Sequence, residues 1–453
     1  MTPARASGRH WSLGFETLLG LVVVGSVVWA GWRLSQDGLL PQPFFWVVSD
    51  TLMDWHNPAY WAHNSGAYEV WRSVYPPLSF VFLKVFSNGT CYANDPFAGR
   101  ECDRWGQLSL LGFYLLNAVL LYRHFRSIDP RTALVRTVAL VVGMPMLFGL
   151  ERGNLIIPCF TAFILGHSRL LKSARARWLA QAFAINFKPY LVLTLIPFLV
   201  RRRWRWFEGA GIATLAVYLV TLALIGGGTP MEIARNTGEL AALQTGSTWS
   251  DLYYATSYAP LVRFMNSDFP VMEYVGSRPV EALSLILPLL TLLGQIAVVA
   301  AAGAAWLRQS PAPMRWMNGA ICAMILSSSQ PSAYAQIFML FFVFMEPWKG
   351  PTRIMMLVCA YALSLVGDYA LFDIPQLPME SWLSGREVLP SVGVALGQFV
   401  RPGLVLLIQF GFAGLILQRA LRPERPDPER LAIESDTIPS SPMGDSPSPP
   451  TAA

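Results

Sequence analysis

Hydrophobic residues occur along this chain in long runs that are separated by short polar segments. Several runs approach the length of about 20 residues that an α-helix needs to cross a bilayer. The pattern predicts an all-α polytopic integral membrane protein with about twelve transmembrane helices. We expect single spans at 15–32, 105–122, 132–150, 155–168, 207–225, 282–306, 316–330, 336–348, 354–369 and 402–417, and two short helices within 178–200.

Two features interrupt this pattern. Residues 77–86 are apolar but too short to cross a membrane alone, so we expect a juxtamembrane helix at the outer face, after the first span. Lys188 and Pro189 interrupt the 178–200 run, because proline removes a helix hydrogen bond. A lysine and irregular backbone at that depth favour an adjacent polar cavity.

Basic residues predict the orientation of the spans, since cytoplasmic segments carry an excess of Lys and Arg. The N-terminus, 123–136, 169–177, 201–205, 308–315, 349–353 and the tail from 419 hold 22 of the 34 basic residues. Placing these segments inside requires an even number of crossings. The first run ends at Trp32 and Arg33, a poor cleavage site, so we interpret it as a signal anchor.

The composition agrees with a membrane protein: 53% of the 453 residues are hydrophobic, 14% are charged, and the mean hydropathy is +0.41. We divide the chain into a transmembrane domain, 1–421, and a tail, 422–453, whose Pro, Ser and charged residues predict cytoplasmic disorder. The net charge of +6 does not indicate nucleic-acid binding, because the basic residues lie between apolar spans. Cys91 and Cys102 lie close together in a predicted outer loop, where we expect a disulfide.

The loop after the first span, 49–78, is unusually polar. Asp50 and Asp54 are four residues apart, so on one helix they would share a face. Aromatic side chains accompany them: Trp55, Tyr60, Trp61, Tyr68, Trp71 and Tyr75. Carboxylates beside aromatic rings suit a sugar, whose hydroxyls need acceptors and whose C–H faces stack on rings. The alternative is an ordinary exit loop with interfacial Trp and Tyr anchors.

Charges at the edge of a membrane mark candidate function. We expect one of Asp50 and Asp54 to act as a general base, kept ionised by nearby cations. The candidates for binding the donor phosphate or substrate are His56, Tyr75, Lys84, Arg152, Asn154, Lys188, Arg263 and Tyr334. Glu151 is a candidate for acceptor binding or orientation. A divalent cation at the aspartate pair is weakly supported, and we expect no cofactor.

Several of these residues have simpler interpretations that the sequence leaves open. One alternative for Glu151 and Arg152, which are adjacent, is a local ion pair. The alternative for Lys188 is an ammonium that extends to the interface, as long cationic side chains do. The alternative for His56 is a hydrogen-bonding residue of the loop.

Taken in order, these features resemble the polyprenyl-phosphate-mannose-dependent mannosyltransferases of the glycosyltransferase C superfamily. The resemblance covers residues 15–225 and is carried by these motifs: Ser49-Asp50 with Asp54, Tyr75-Pro76-Pro77-Leu78, Gly153-Asn154, and Lys188-Pro189 before Arg201-Arg202-Arg203-Trp204. It implies that the essential aspartate of the first outer loop is Asp50 or Asp54. The family often has a histidine-containing later turn, whereas residues 328–336 here contain none, which leaves the donor sugar open.

The resemblance implies a membrane-embedded inverting glycosyltransferase. Such an enzyme would move a sugar from a polyprenyl phosphate to a lipid-linked or cell-envelope glycan. The resemblance implies that the sugar is mannose and that the site lies at the outer face of the inner membrane. A secondary transporter would also combine broken helices with buried charges. A polymerase or ligase of lipid-linked glycans is a further alternative.

Overall fold

The structure is a computed structural model that describes residues 4–44, 46–243, 252, 255–265, 276–328 and 332–421. Its first helices are α1 (Ala4–Asp37), α2 (Met53–His63), α3 (Pro77–Phe86), α4 (Pro96–Cys102), α5 (Arg104–Ile128), α6 (Ala133–Val141), α7 (Met144–Glu151), α8 (Ile156–His167) and α9 (Ala174–Phe187). They are followed by α10 (Ile196–Val200), α11 (Trp204–Ile225), α12 (Pro230–Leu243), α13 (Ala259–Met265), α14 (Ser277–Leu307), α15 (Met314–Ser328), α16 (Gln336–Val343), α17 (Pro351–Leu363) and α18 (Leu396–Leu421). The predicted disordered tail, 422–453, lies outside the described residues.

In the part of the chain that the structure describes, five helices are long and apolar enough to cross a membrane, namely α1, α5, α11, α14 and α18. Helices α6 and α7 make a sixth candidate if they are one span, bent by 40° at the break between them. The chain is therefore a membrane protein, but the twelve crossings that the hydrophobic runs predict are not shown. Several of the runs fold as helices of 10–17 residues instead. At about 1.5 Å per residue, these are too short to cross a hydrocarbon core of about 30 Å alone.

The predicted juxtamembrane segment is α3, with the expected bounds, and Pro77 occupies its first turn. The predicted break at Lys188 is also present. Helix α9 ends before Lys188, whose backbone is extended, and a 3-10 helix (Pro189–Leu195) leads into α10. This conformation follows from the proline, which disfavours a helical residue before it.

Two small antiparallel sheets lie between the hydrophobic runs 354–369 and 402–417. Strand β1 (Ala370–Pro375) pairs with β4 (Ser391–Ala395), and β2 (Met379–Glu380) pairs with β3 (Glu387–Val388). The hydrophobic pattern does not predict these strands, which are short additions to the all-helical fold that it does predict.

The centre of the molecule is a buried aromatic core between α8 and α16. Phe160 and Phe163 from α8 contact Phe338 and Phe341 from α16, with ring centroids 4.7–6.2 Å apart. Burying rings of this size is a major source of stability in a helical core. This core fixes α8 and α16 against each other, and the polar side chains of the candidate site lie near the start of α8.

Candidate active site

The turn that links α7 to α8 lies against the segment that precedes α2. The Leu52 N–H donates to the Glu151 carbonyl at 2.8 Å, and the Asp54 N–H donates to the Arg152 carbonyl at 2.9 Å. Gly153 allows this approach: its φ is +66°, and a Cβ there would lie 2.7 Å from the Leu52 carbonyl oxygen. Only glycine adopts such a conformation at so close a contact without strain.

Arg152 joins the two aspartates that the sequence singles out. Its Nη2 donates to Asp50 Oδ2 at 2.7 Å and to Asp54 Oδ1 at 2.8 Å, and its Nη1 donates to the Asp50 carbonyl at 3.0 Å. The aspartates do not share a helix. Asp50 ends a 3-10 turn and Asp54 lies in the first turn of α2, because Leu52 between them has a φ of 65°. The guanidinium, and not helical spacing, brings the carboxylates together.

The two carboxylates differ in how their oxygens are used. Asp54 Oδ2 accepts a hydrogen bond from Asn154 Nδ2 at 2.7 Å, so both of its oxygens have donors. The same Asn154 amide donates to the Tyr334 hydroxyl at 3.2 Å. Asp50 Oδ1 accepts no hydrogen bond from any residue that the structure describes, and 26% of the Asp50 side chain is exposed. Asp50 therefore keeps one carboxylate oxygen available for a substrate.

Burial governs the ionisation of Asp50. Removal from water raises its pKa above the ordinary value of 3.8, and the opposing attraction of Arg152 does not cancel this effect. We expected nearby cations to keep the pKa of the base from rising, and at Asp50 they do not. The reason is that one guanidinium is shared between two carboxylates, and the second carboxylate also raises the pKa of the first.

Lys188 lies beside this cluster. Its ammonium stands over the rings of Tyr75 and Tyr334, 5.5 Å from each centroid, within the range of a cation–π interaction. The position of Tyr75 is held by the Tyr68 hydroxyl, which donates to the Tyr75 carbonyl at 2.9 Å. The Lys188 side chain is half-buried, and its ammonium makes no hydrogen bond to the described residues. It is not extended away from the protein, as an interfacial lysine would be.

Glu151 is buried behind the cluster. One of its carboxylate oxygens accepts a hydrogen bond from the Thr51 hydroxyl at 3.3 Å, and the other has no hydrogen-bond partner among the described residues. The side chain of its neighbour Arg152 turns toward Asp50 and Asp54. Glu151 therefore supports the loop that carries Asp50.

Three candidates lie outside the cluster. His56 is buried, and its Nδ1 is 2.8 Å from the Tyr92 hydroxyl, which donates to Asp103. Burial lowers the pKa of His56 to about 3, with a further contribution from the charge of Arg100. Lys84 is exposed on α3, and Arg263 lies on α13, which packs on α14.

The predicted disulfide between Cys91 and Cys102 is present, with Cα atoms 5.5 Å apart. Arg100, two residues before Cys102, is a supporting residue that the sequence pattern did not reveal. Its Nη1 donates to the carbonyls of Ser49 and Thr51 at 2.7 and 2.9 Å, on either side of Asp50. A buried arginine with carbonyl partners cannot be distinguished from a surface arginine by sequence alone.

The structure also contains an apolar groove with a volume of about 450 Å³ between α3, α9 and α11. Phe82, in its wall, packs against Phe187, the residue before Lys188, with ring centroids 5.2 Å apart. This aromatic contact lies between the groove and the segment that carries Lys188.

The described residues include no group of three or more His, Cys, Asp or Glu side chains placed to hold a metal ion. At the aspartate pair, the position between the carboxylates is taken by the Arg152 guanidinium.

Comparison with known protein families, with curated proteins and with solved structures finds no match. The site must therefore be interpreted from its own geometry.

Proposed function

We propose that this chain is a membrane-embedded inverting glycosyltransferase that uses a polyprenyl-phosphate sugar. The observation that carries the proposal is that a carboxylate and a cation belong to one cluster. Asp50 shares Arg152 with Asp54, and Asn154 joins Asp54 to Tyr334, over whose ring the Lys188 ammonium stands. A base and a phosphate-binding cation at one site are the two groups that such a transfer requires.

The reaction would run as follows. The Asp50 carboxylate removes the proton of an acceptor hydroxyl, and that oxygen attacks the anomeric carbon of the donor sugar. The bond from the anomeric carbon to the phosphate oxygen breaks, and its electron pair leaves with the phosphate. Lys188 stabilises the additional negative charge on the departing polyprenyl phosphate. The protonated Asp50 then returns its proton to solvent.

The surroundings favour a lipid-linked donor. In this proposal the apolar groove between α3 and α11 receives the isoprenoid chain, and Phe82 in its wall contacts Phe187, the residue before Lys188. A phosphate that follows such a chain would meet the ammonium. Tyr75 and Tyr334 present ring faces on which a sugar can stack.

Asp50 is the better candidate for the base. Asp54 has both oxygens engaged by Arg152 and Asn154, so its role in the proposal is to position these two side chains. Tyr334 would bind the substrate, and Glu151 would orient the Asp50 loop. Mannose as the sugar, a lipid-linked or cell-envelope glycan as the acceptor, and a site on the outer face of the inner membrane are parts of the same proposal.

The proposal is tested with purified protein, polyprenyl-phosphate-mannose and envelope lipid, by measuring radiolabelled product. Asp50→Asn removes the proton acceptor and keeps the shape, so we expect turnover to fall on the order of a hundredfold to ten-thousandfold. Asp54→Asn should reduce turnover less, because it displaces Arg152 but leaves the base.

Wild-type turnover in both variants would exclude this mechanism, and a secondary transporter should then be considered first. A larger loss in Asp54→Asn than in Asp50→Asn would assign the base to Asp54. Transfer of labelled oligosaccharides, and not of single sugars, would favour a polymerase or ligase of lipid-linked glycans.

A further inference from the structure

A second polar region lies at the opposite end of the helices that carry the candidate active site. Helix α8 begins two residues after Asn154 and ends at His167, and α9 runs back toward Lys188. Between these helix ends and their neighbours is a cavity of about 630 Å³. It is lined by basic side chains from all five internal segments that the sequence predicts to be cytoplasmic: Arg131, Arg136, Arg169, Arg177, Arg203, Arg315 and Lys349.

Two of these cations are neutralised by buried acids. Arg136 pairs with Glu16 at 2.7 Å, and Arg315 pairs with Glu346 at 2.7 Å. Such pairs hold helices together, because a buried carboxylate without a partner would be strongly unfavourable. Glu346 also pairs with Arg353 at 3.0 Å, so one carboxylate there offsets the charge of two arginines.

Arg177 and Arg203 are different. Neither forms an ion pair with a carboxylate in the described part of the chain, and Arg177 Nε is buried without a hydrogen-bond partner there. Burial and the positive charges of Arg169 and Arg203 lower the pKa of Arg177, so these cations lie close enough to repel one another. The Arg177 guanidinium rests on the Trp206 ring, 5.0 Å from its centroid. The ring holds the guanidinium in place. Asp129 is the one acidic residue in the described lining of the cavity, and it forms no ion pair with Arg177.

The neutral part of the wall also carries unused polar groups. His124 is 2% exposed and lines the cavity, and neither of its ring nitrogens has a hydrogen-bond partner among the described residues. The same holds for His167 Nε2. Buried polar groups normally have partners. A set of such nitrogens beside repelling arginines is typical of a site that receives an anion with several acceptor oxygens.

We propose that this cavity binds a phosphate group, held by Arg177 and Arg203 and contacted by His124. The phosphate belongs either to a phospholipid headgroup of the adjacent leaflet or to a soluble phosphate compound. This site is separate from the Asp50 cluster, and the proposal does not depend on the glycosyltransferase assignment.

The first test uses wild-type protein. The melting temperature of delipidated protein in neutral detergent is measured in pyrophosphate and, as a control, in chloride at equal ionic strength. In parallel, protein in phosphatidylcholine nanodiscs with and without phosphatidylglycerol is examined by native mass spectrometry and melting. Stabilisation by pyrophosphate assigns a soluble ligand, and retained phosphatidylglycerol with stabilisation assigns a lipid headgroup. No stabilisation and no retained anion in either arm would overturn the proposal.

The second test uses matched variants. Arg177→Gln and Arg203→Gln remove cavity charges, whereas Arg175→Gln and Arg205→Gln remove exposed charges two residues away. We expect the cavity variants to bind the anion about tenfold to a hundredfold more weakly, the value of one or two charged hydrogen bonds. Their ligand-free melting temperatures should not fall, because like-charge repulsion is removed. The exposed variants should retain binding.

Equal binding by the cavity variants and wild type would contradict the proposal, as would an equal loss in the exposed variants. If a cavity variant does not fold, Arg177→Lys replaces it. The lysine keeps the charge but not the forked geometry, so binding should be weakened and not abolished.

Discussion

Arg152 organises the candidate active site at the scale of single residues. Its guanidinium is shared by Asp50 and Asp54, and 9% of its side chain is exposed. Removing it would leave two neighbouring carboxylates without their main partner, a strongly unfavourable arrangement at a buried site. The pair is therefore held in a geometry in which Asp54 is saturated with hydrogen bonds and Asp50 is not. This asymmetry, and not the spacing of the aspartates, gives them different roles.

The pH dependence of transfer should reflect the environment of Asp50. A general base works only when ionised, so kcat/KM should fall as pH decreases through its pKa. Burial raises this pKa above 3.8, and the decrease should therefore begin at a higher pH than for an exposed aspartate. The measurement is a pH profile of kcat/KM for wild type. The residual activity of Asp50→Asn is the control, since it should lack this decrease; the same decrease in that variant would mean that another group is responsible.

Lys188 should act on the donor. Replacing it with alanine removes the cation that meets the phosphate, and we expect kcat/KM for the donor to fall about tenfold to a hundredfold. Lys188→Arg should recover part of the loss, because the charge remains but its position changes. The control is Lys172→Ala, an exposed lysine between α8 and α9. Unchanged donor kinetics in Lys188→Ala would remove Lys188 from the site.

At the scale of elements, the site depends on the contact between the α7–α8 turn and the start of α2. Two backbone hydrogen bonds join these segments, and Gly153 is the residue that lets them approach. The 3-10 turn at Asp50 is fixed from its other side by Arg100, which is attached to the disulfide-linked segment. The acidic loop is thus clamped between two elements that are distant in sequence.

Gly153→Ala tests this contact. The added Cβ would lie within 3 Å of the Leu52 backbone at a positive φ, and we expect a loss of stability of about 1–3 kcal/mol together with most of the activity. Gly112→Ala on α5 is the matched control, since nothing lies within 4 Å of the added methyl group. Thermal melting and transfer assays measure both effects. A Gly153→Ala protein with wild-type melting and activity would show that the contact does not position Asp50.

At the scale of the whole molecule, two polar regions face each other across a thin core. Helix α8 has 12 residues and α9 has 14, so each extends only about 18–21 Å. This length is well below the hydrocarbon thickness of about 30 Å. The long helices α1, α5, α11, α14 and α18 can span a bilayer, whereas the short central helices connect two recessed polar regions. Proline and glycine breaks in the central helices are tolerated because protein, and not lipid, surrounds them.

Much of this organisation is determined by the sequence alone. Hydrophobic runs are local features, so the membrane class, the bounds of α3, the break at Lys188 and the Cys91–Cys102 pair could all be predicted. The number of crossings could not, because a run of 12–17 apolar residues is the same in a spanning helix and in a short buried one. Only packing decides between them.

The tertiary structure alone decided which candidates meet. The cluster brings together residues from segments up to 284 residues apart: Asp50, Asp54, Arg152, Asn154, Lys188 and Tyr334. His56 is close to both aspartates in sequence, but it forms a separate hydrogen bond with Tyr92. Likewise, five basic segments that indicate only orientation in the sequence converge on one cavity. The physical reason is the same in both cases. The sequence gives the charge of each side chain directly. The partner of that side chain is decided by how the helices pack, which depends on residues that are distant in the sequence.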